Sequence, residues 1–224
     1  MTMIVPVAKT LRCSSLFEKM SEWETENVLN LTDYRIVSYG KREVYCVAGT
    51  LCRHVDIVLR GYLSVHMVGV SGKMVEVLRL RKGDVIAPCY LFATDGHLPV
   101  TIEAESCARV LRIPMQAFQH LLDSHEQIRR NFIRVLSDVA SYLTSRIYFL
   151  SLLTVREKIV HYLRTEIAVQ KSLTITVDRT RRSMAEAFGI QMFSLLRCLS
   201  ELSASGVIRV TGKTITVLAP ERLK

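Results

Sequence analysis

The chain has 224 residues, of which 49% are hydrophobic and 23% are charged, as in a globular protein with one or two domains. This composition excludes an intrinsically disordered chain and a small domain held together by disulfides. Lys and Arg outnumber Asp and Glu by 30 to 21. Residues 154–224 hold 12 basic and 6 acidic side chains, so this last third carries +6 of the net charge of +9. Such a concentration of positive charge is typical of a segment that contacts phosphate groups.

The sequence also indicates where the protein resides and how its cysteines are used. We expect a cytoplasmic protein, because no apolar run has the length of a membrane span and the N-terminus lacks the pattern of a signal peptide. The six cysteines are scattered without a C-x-x-C pair, at positions 13, 46, 52, 89, 107 and 198. This spacing argues against a structural zinc site or an ordinary iron–sulfur cluster and favours reduced, buried thiols.

Residues 1–124 are predicted to form an antiparallel β-roll of the jelly-roll type, preceded by a short helical segment. Ser21 is a suitable N-cap for a helix that begins at Glu22. From about Ile36 to Ile113, short β-branched runs alternate with glycine, a pattern typical of antiparallel strands. The predicted strands cover 55–59, 63–68, 74–80 and 110–113, with turns at Arg60-Gly61, Ser71-Gly72-Lys73 and Lys82-Gly83-Asp84. Within 63–68, alternation places Leu63, Val65 and Met67 on one face and Ser64 and His66 on the other.

Residues 125–152 are predicted to form one long helix, preceded by a helix that Pro114 opens. Apolar residues recur at spacings of three and four, at Ile128, Phe132, Val135, Val139, Tyr142, Leu143, Ile147 and Leu150. Because the apolar surface is broader than one stripe, we expect one side to cover the β-roll and the other to pair with a second copy. The alternative is a single broad core face.

Residues 153–224 are predicted to form a winged helix-turn-helix. Thr154 and Glu157 have the spacing of a capping box, which places a domain boundary near 151–154, and Ser172–Val177 reads as a short strand pair. A helix capped by Thr180, a turn at Gly189 and a helix with the stripe Leu195, Leu199 and Leu202 then follow. A hairpin with Gly212-Lys213 at its tip completes the pattern, in which the second helix enters the DNA major groove. The alternative is a small helical packing domain that contacts no nucleic acid.

A glycine-punctuated β-roll, a long helix and a winged helix-turn-helix, in this order, resemble the Crp/Fnr family of bacterial transcription regulators. The most specific segments are Leu59-Arg60-Gly61, Lys82-Gly83-Asp84, Thr154-Val155-Arg156-Glu157-Lys158, 184–202 and Gly212-Lys213-Thr214-Ile215. The resemblance implies a cyclic-nucleotide-binding-like sensor domain and a homodimer that binds a near-palindromic site. It also implies that the regulator contacts RNA polymerase.

Two sensors known in the family do not match this sequence. Cyclic-nucleotide members carry Gly-Glu after the Gly-Asp turn and later an Arg that grips the phosphate, whereas Ala87-Pro88 and Leu98-Pro99-Val100 stand here. A cyclic nucleotide is therefore not expected, because an anion needs such a cradle. The iron–sulfur members need closely spaced N-terminal cysteines, and only Cys13 stands there.

The remaining resemblance is to the nitrosative-stress branch, the HcpR and DNR-like regulators, and it implies a heme that senses nitric oxide. The candidate heme ligands are Met67, His66, His161 and Cys89, since His, Met and Cys are usual axial ligands. His125 is not distinguished from these. Each has a simpler interpretation: a core Met, a surface His or a buried thiol. A regulator without heme that responds to a small ligand or to thiol oxidation is the alternative.

Eight residues are predicted to contact DNA: Gln191, Met192, Phe193, Ser194, Arg197, Arg181, Arg182 and Lys213. By resemblance, Arg197 matches the family's base-reading arginine, which can pair with guanine, or it clamps a phosphate instead. Gln191 can contact adenine, and Ser194 can contact a phosphate or a base. Met192 and Phe193 cannot read a hydrogen-bond pattern but can lie against thymine methyl groups. Arg181, Arg182 and Lys213 are expected at phosphates, or are merely solvated charges.

Two other classes of function compete with a DNA-binding regulator. An enzyme is not expected, because the sequence has no glycine-rich phosphate loop, no H-E-x-x-H and no nucleophile elbow. A regulatory ligand-binding module that acts on a protein partner would leave the basic C-terminal third unexplained. Salt-dependent DNA binding distinguishes the regulator from both.

Overall fold

The computed structural model describes residues 7–70, 72 and 74–223, and the chain divides into two compact units. One unit spans Met1–Val68 and Val77–Leu143, and the other spans Gly69–Glu76 and Thr144–Lys224. The helices are α1 (Val7–Leu11), α2 (Glu22–Asn30), α3 (Met115–Ser124), α4 (Glu126–Leu152), α5 (Val155–Gln170), α6 (Arg181–Phe188) and α7 (Met192–Ala204). The strands are β1 (Arg35–Tyr39), β2 (Val44–Cys46), β3 (His54–Arg60), β4 (Leu63–Val68), β5 (Met74–Leu80), β6 (Val85–Ile86), β7 (Thr101–Ala104), β8 (Ala108–Pro114), β9 (Thr174–Thr176), β10 (Ile208–Thr211) and β11 (Thr214–Val217).

The predicted β-roll is confirmed as two four-stranded sheets, with strand orders β1-β8-β3-β6 and β2-β7-β4-β5. Strand β3 shows how the sequence distributes its side chains. Val55 and Ile57 belong to a core that also contains Phe118 and Phe132 of α3 and α4. Successive residues of a strand point to opposite faces, and Val58 belongs to the separate core between the sheets. The first unit therefore buries both faces of the sheet that contains β3.

Two glycines are required by close backbone contacts in this unit. Gly61, between β3 and β4, has φ +85°, and a Cβ there would lie 2.4 Å from the Cys107 carbonyl oxygen. Gly83 has φ +94°, and a Cβ would lie 2.5 Å from the Cys13 carbonyl oxygen. Only glycine accepts both the positive φ and the contact. The predicted turn at 71–73 lies outside the described residues, because Ser71 and Lys73 are not described.

The helical segment before the roll is confirmed from residue 7 onward. The Glu24 amide donates to Ser21 Oγ at 3.1 Å, and the Ser21 amide donates to Glu24 Oε2 at 2.7 Å. This capping box starts α2 where the sequence predicts it.

Helix α4 contributes to a core at each of its ends. Ile128, Phe132 and Val135 are buried in the first unit, and Phe149 is buried in the second. The two units divide between Leu143 and Thr144, whereas α4 ends at Leu152, within the predicted boundary of 151–154.

The second unit has the helices and wing that the sequence predicts. The Glu157 amide donates to the Thr154 hydroxyl at 3.3 Å, and the Thr154 amide donates to Glu157 Oε2 at 2.8 Å, so α5 begins in a capping box. Strands β10 and β11 form the wing, and their sheet has the order β10-β11-β9. The strand pair predicted over 172–177 is wrong: one strand, β9, lies there and pairs with β11.

No helix in the described part of the chain is long and apolar enough to cross a membrane.

Candidate nucleic-acid interface

The turn between α6 and α7 is built by local interactions that the sequence encodes. Thr180 caps α6, because its hydroxyl accepts from the Ser183 amide at 3.1 Å. Gly189 ends α6 with φ +64°, which lets the chain turn within the three residues that separate α6 from α7. Gln191 is the N-cap of α7, but its side chain makes no capping hydrogen bond. The Gln191 amide group is therefore not used in holding the helix together.

One side of α7 is buried, and this fixes which side faces outward. Leu195, Cys198, Leu199 and Leu202 lie in the core of the second unit, and Leu195 and Leu202 have no exposed surface. The exposed residues of the helix are Met192, Phe193, Leu196, Arg197, Ser200, Glu201 and Ala204. Ser194 is half-buried. Sequence reasoning missed Leu196 and Ser200, although Leu196 lies three residues after Phe193 and Ser200 three residues after Arg197, spacings that make them neighbours on the helix.

The exposed arginines of α6 and α7 are paired with acids one turn further along the same helix. Arg197 Nε lies 2.9 Å from Glu201 Oε1, with 71% of the Arg197 side chain exposed. Arg182 Nε lies 3.0 Å from Glu186 Oε1, with 81% of the Arg182 side chain exposed. Exposed pairs of this kind contribute about 0.2–1 kcal/mol each. Both guanidinium groups can therefore leave their carboxylates for a phosphate or a base at small cost.

Arg181 and Lys213 differ in how far their charged groups are exposed to a DNA phosphate. Arg181 is half-buried, and its Nη2 donates to the carbonyl oxygen of Gly212 at 3.0 Å while its Nη1 contacts Met184 Sδ at 3.3 Å. It thus links the start of α6 to the tip of the wing. Lys213 is exposed at that tip, next to Gly212, whose φ is +56°.

A buried ion pair holds the segment before α6. Arg179 Nη1 lies 2.5 Å from Glu76 Oε1, and the Glu76 side chain is 4% exposed. Arg146 Nη2 donates to the Glu76 carbonyl oxygen at 2.6 Å and also to the carbonyl oxygen of Ala187 at the end of α6. Sequence reasoning could not find this cluster, because Glu76 and Arg179 are 103 residues apart.

The candidate heme ligands differ in burial, and Met67 and His66 depart from their predicted positions. Met67 was expected to point inward with Leu63 and Val65, but 44% of it is exposed, whereas Leu63 has no exposed surface. The alternation fails because Met67 and Val68 are at the end of β4, where both residues are exposed. His66 is half-buried rather than exposed, and Cys89 is exposed. His161 is exposed on α5 in the other unit.

The cysteines are only partly buried, contrary to expectation. Cys46 and Cys198 are buried, Cys52 is intermediate, and Cys13, Cys89 and Cys107 are exposed. Burial raises the pKa of the Cys46 thiol to about 11, so it stays protonated. Among the described residues, no three or more His, Cys, Asp or Glu side chains converge as a metal site.

Residues 87–88 and 98–100, which the family resemblance aligns with the phosphate-binding segments of the cyclic-nucleotide members, carry apolar side chains. Ala87 has φ +49°, a left-handed conformation, and Pro88 after it is buried. Leu98 and Val100 are 4% and 7% exposed and belong to the core between the sheets. These segments therefore present packed hydrocarbon where an anion would need charged or N–H donors.

A polar cluster that the sequence did not reveal lies inside the roll. Arg112 on β8 makes a bidentate pair with Asp56 on β3, with Nη2 2.6 Å from Asp56 Oδ2 and Nε 3.1 Å from Asp56 Oδ1. Asp56 has no exposed surface, and its Oδ2 also accepts from the Tyr45 hydroxyl at 2.9 Å. Burial and the Asp56 charge raise the pKa of Tyr45, so its hydroxyl keeps the proton it donates. Arg112 and His54 also line a cavity of about 300 Å³.

Comparisons with known proteins agree with this architecture. Residues 36–125 match the model for the cyclic nucleotide-binding domain, and residues 157–224 match the model for the Crp-like helix-turn-helix domain. No curated protein matches the sequence.

Three similar structures show the same fold over most of the chain. A mutant of CooA from Carboxydothermus hydrogenoformans is 19% identical, with a TM-score of 0.73 over 92% of this chain and 90% of that one. The c-di-GMP responsive global regulator CLP from Xanthomonas campestris is 18% identical, with a TM-score of 0.73 over 86% and 96%. FixK2 from Bradyrhizobium japonicum is 16% identical, with a TM-score of 0.69 over 85% and 96%. With both domain matches in this order, the chain belongs to the Crp/Fnr family of DNA-binding transcription regulators.

Proposed function

We propose that this regulator acts as a homodimer whose two α7 helices read a near-palindromic operator. The observation that carries the proposal is the exposed side of α7, where Arg197 and the uncommitted side chain of Gln191 project from a helix that is buried on its other side. A helix held in this way can enter the major groove without unfolding its own core. The protein would then work in the cytoplasm, where its operator and RNA polymerase are.

Within this proposal, each exposed side chain has a role set by its chemistry. Arg197 pairs with guanine through two hydrogen bonds, and Gln191 pairs with adenine. Arg182 and Lys213 bind phosphates, since both are exposed and positively charged. Arg181 supports the wing tip and reaches a phosphate only if it leaves Gly212. Ser194 is half-buried and is limited to a phosphate at the edge of the site.

The decisive experiment measures DNA binding against salt concentration. A fluorescent duplex is first recovered by selection from random-sequence DNA, and its anisotropy with the protein is followed from 50 to 200 mM salt. Affinity should fall steeply as salt rises, because bound phosphates release counterions. Lys213→Ala should reduce the logarithmic salt slope by about 1. Arg109→Ala, which removes an exposed charge from β8 in the other unit, should leave the slope unchanged. Failure to recover any bound duplex would refute the proposal.

The homodimer is proposed from a stripe on α4. Six residues at alternating spacings of four and three are all exposed: Ile133, Ser137, Ala140, Thr144, Ile147 and Ser151. Ile133 and Ile147 are 59% and 66% exposed, although they are apolar. A 3.5-residue repeat of this kind is the seam of a coiled coil, and the small residues between the isoleucines allow two helices to approach closely. The occupant we propose for this stripe is α4 of a second copy.

The oligomeric state tests the stripe directly. Sedimentation analysis of the full chain should show a dimer that Ile147→Glu converts to monomer, because a charge in the seam loses its hydration. Asp138→Lys changes charge on the outer side of the same helix and should remain dimeric. A monomeric wild type would refute the homodimer and would leave the description of each unit's fold unchanged.

We also propose that the effector is not a cyclic nucleotide. Support comes from Leu98 and Val100, which are buried and which the family resemblance aligns with the segment that carries the phosphate-binding arginine of the cyclic-nucleotide members. Calorimetric titration with cyclic AMP and cyclic GMP should detect no saturable heat, and a saturable signal for either nucleotide would refute this point. A thiol-based effector response would have to use the exposed Cys13, Cys89 or Cys107.

Heme with nitric oxide, and with it the nitrosative-stress branch, stays a prediction. The structure tests the fit of the residues: an exposed Met67, a half-buried His66 and an exposed Cys89 do not fit an enclosed apolar heme site. Titration of the protein with hemin checks the point. A saturating Soret band that Met67→Ala abolishes would establish a heme site, and the absence of a saturable band would remove it.

A further inference from the structure

The outward side of α7 begins with an apolar patch formed by Met192, Phe193 and Leu196. These three side chains are 49%, 73% and 43% exposed. Residues three and four apart on a helix are neighbours, so Leu196 joins Phe193 and Met192 on one surface. A contiguous apolar patch on a polar surface marks a contact site. Phe193 is more exposed than Tyr148, the other exposed aromatic residue in the described part of the second unit.

The charges around the patch indicate what covers it. Arg197 follows Phe193 by one turn on the same side, and the exposed Arg182 and Lys213 belong to the same unit. Residues 154–224 carry a net charge of +6, from 12 basic and 6 acidic side chains. A purely apolar partner would strip water from Arg197 without replacing its hydrogen bonds, which is costly. A polyanion with isolated apolar groups satisfies both the charge and the patch.

DNA offers such groups at one place on the bases that face the major groove. Thymine presents a C5-methyl group there, and none of the other three bases carries a methyl group in the major groove. Met192, Phe193 and Leu196 have no side-chain donor that could bind a base edge. Their selectivity must therefore come from contact with methyl groups and from poor contact with bases that lack them.

We infer that Met192, Phe193 and Leu196 recognise thymine methyl groups in each operator half-site, next to a guanine read by Arg197. This inference rests on the proposed DNA binding by α7. The spacing of Phe193 and Arg197, one helical turn apart, places the thymines beside the guanine rather than at a distant position. The half-site should consequently contain thymines adjacent to a guanine, and the methyl groups should contribute to affinity independently of salt.

Replacement of thymine by uracil removes the methyl group and leaves base pairing unchanged. In the duplex recovered by selection, each contacted thymine is replaced by deoxyuridine, and the dissociation constant is measured by anisotropy. Each contacted methyl group should contribute about fourfold in affinity, the value of about 0.8 kcal/mol for one buried carbon converted at 1.36 kcal/mol per factor of ten. Deoxyuridine placed outside the half-sites is the control and should change nothing.

A protein variant links the effect to the patch. Phe193→Ala should bind the thymine duplex more weakly and should show a smaller difference in affinity between the thymine and uracil duplexes than the wild type does. Phe193→Leu should keep part of the discrimination, because it keeps apolar contact. Circular dichroism verifies that both variants fold, as expected for a residue that is 73% exposed.

The possible results distinguish a failure of methyl recognition from a failure of DNA binding by α7. If selection recovers no bound duplex, DNA binding itself fails. If a duplex binds with salt dependence but thymine and uracil forms bind equally, DNA binding stands and the methyl recognition is overturned. A selected half-site without thymine next to the contacted guanine also overturns it.

Discussion

The two units use the same ion pair in opposite ways. In the roll, Arg112 grips Asp56 with Nη2 2.6 Å from Oδ2, and the Asp56 side chain has no exposed surface. On the recognition helix, Arg197 meets Glu201 at 2.9 Å, and their side chains are 71% and 56% exposed. The chemistry is a guanidinium and a carboxylate in both cases, so only the surroundings differ.

The difference in burial indicates which of the two arginines can leave its carboxylate and bind another group. Arg112 cannot leave Asp56 without leaving a buried charge unpaired, and the Tyr45 hydroxyl is committed to the same carboxylate. Breaking such a buried pair costs several kcal/mol, whereas an exposed pair within one helix contributes a few tenths. The buried pair therefore stabilises the β-roll. The exposed pair can open, so that the Arg197 guanidinium binds a DNA base or phosphate instead of Glu201.

The largest expected effect follows from breaking the buried pair. Asp56→Ala should lower the free energy of unfolding by about 3 kcal/mol, because Arg112 is left without its counter-charge inside the roll. Urea unfolding of the full chain, followed by circular dichroism, measures the change. Glu201→Ala is the matched control on the exposed pair and should cost less than about 0.5 kcal/mol. Equal costs for the two variants would contradict the comparison.

The next largest effect should appear in DNA binding rather than in stability. Arg197→Ala should weaken binding to the selected duplex about 10- to 100-fold, the range expected for loss of a bidentate contact to guanine. Arg197→Lys should restore little, because an ammonium lacks the planar fork. Glu201→Ala should bind at least as tightly as the wild type, since it frees Arg197 and removes a negative charge. A loss with Glu201→Ala as large as that with Arg197→Ala would show that the pair acts as a structural unit.

The smallest expected effect is the contribution of His54, which lies beside Arg112, to the pH dependence of the free energy of unfolding. Burial, and then the positive charge of Arg112, lower the pKa of His54 below its usual 6.5. The unfolded chain therefore binds more protons at this residue than the folded chain, so the His54 contribution to stability is complete above pH 6.5 and is lost as pH falls toward the lowered pKa. His54→Gln should flatten the stability profile in that window. An unchanged profile, measured by urea unfolding from pH 7.5 to 5, would mean that His54 does not titrate with folding.

Local patterns accounted for much of the fold. The caps at Ser21, Thr154 and Thr180 and the turn at Gly189 were predicted and observed, because each depends on a few neighbouring residues. The buried stripe of α7 was predicted from periodicity alone. Alternation failed at Met67, since a strand keeps its buried face only as far as the sheet around it extends.

The candidate site shows the same limit at the level of side chains. Sequence reasoning placed Arg197, Met192 and Phe193 on the outward side of α7, and all three are exposed. It missed Leu196, which the spacing could have revealed, and it left open that Arg181 is committed to the wing carbonyl of Gly212. That bond joins residues 31 positions apart, which no local pattern connects.

The amino-acid sequence by itself determined the helices and strands, their caps and the outward side of the recognition helix. Hydrogen bonds and periodicities within a few residues are enough to specify these features. What only the tertiary structure decided was which charges are paired. Asp56 and Arg112 are 56 residues apart, and Glu76 and Arg179 are 103 apart. Burial decides whether an arginine must keep its carboxylate partner or can exchange it for DNA. Burial is a property of the assembled fold.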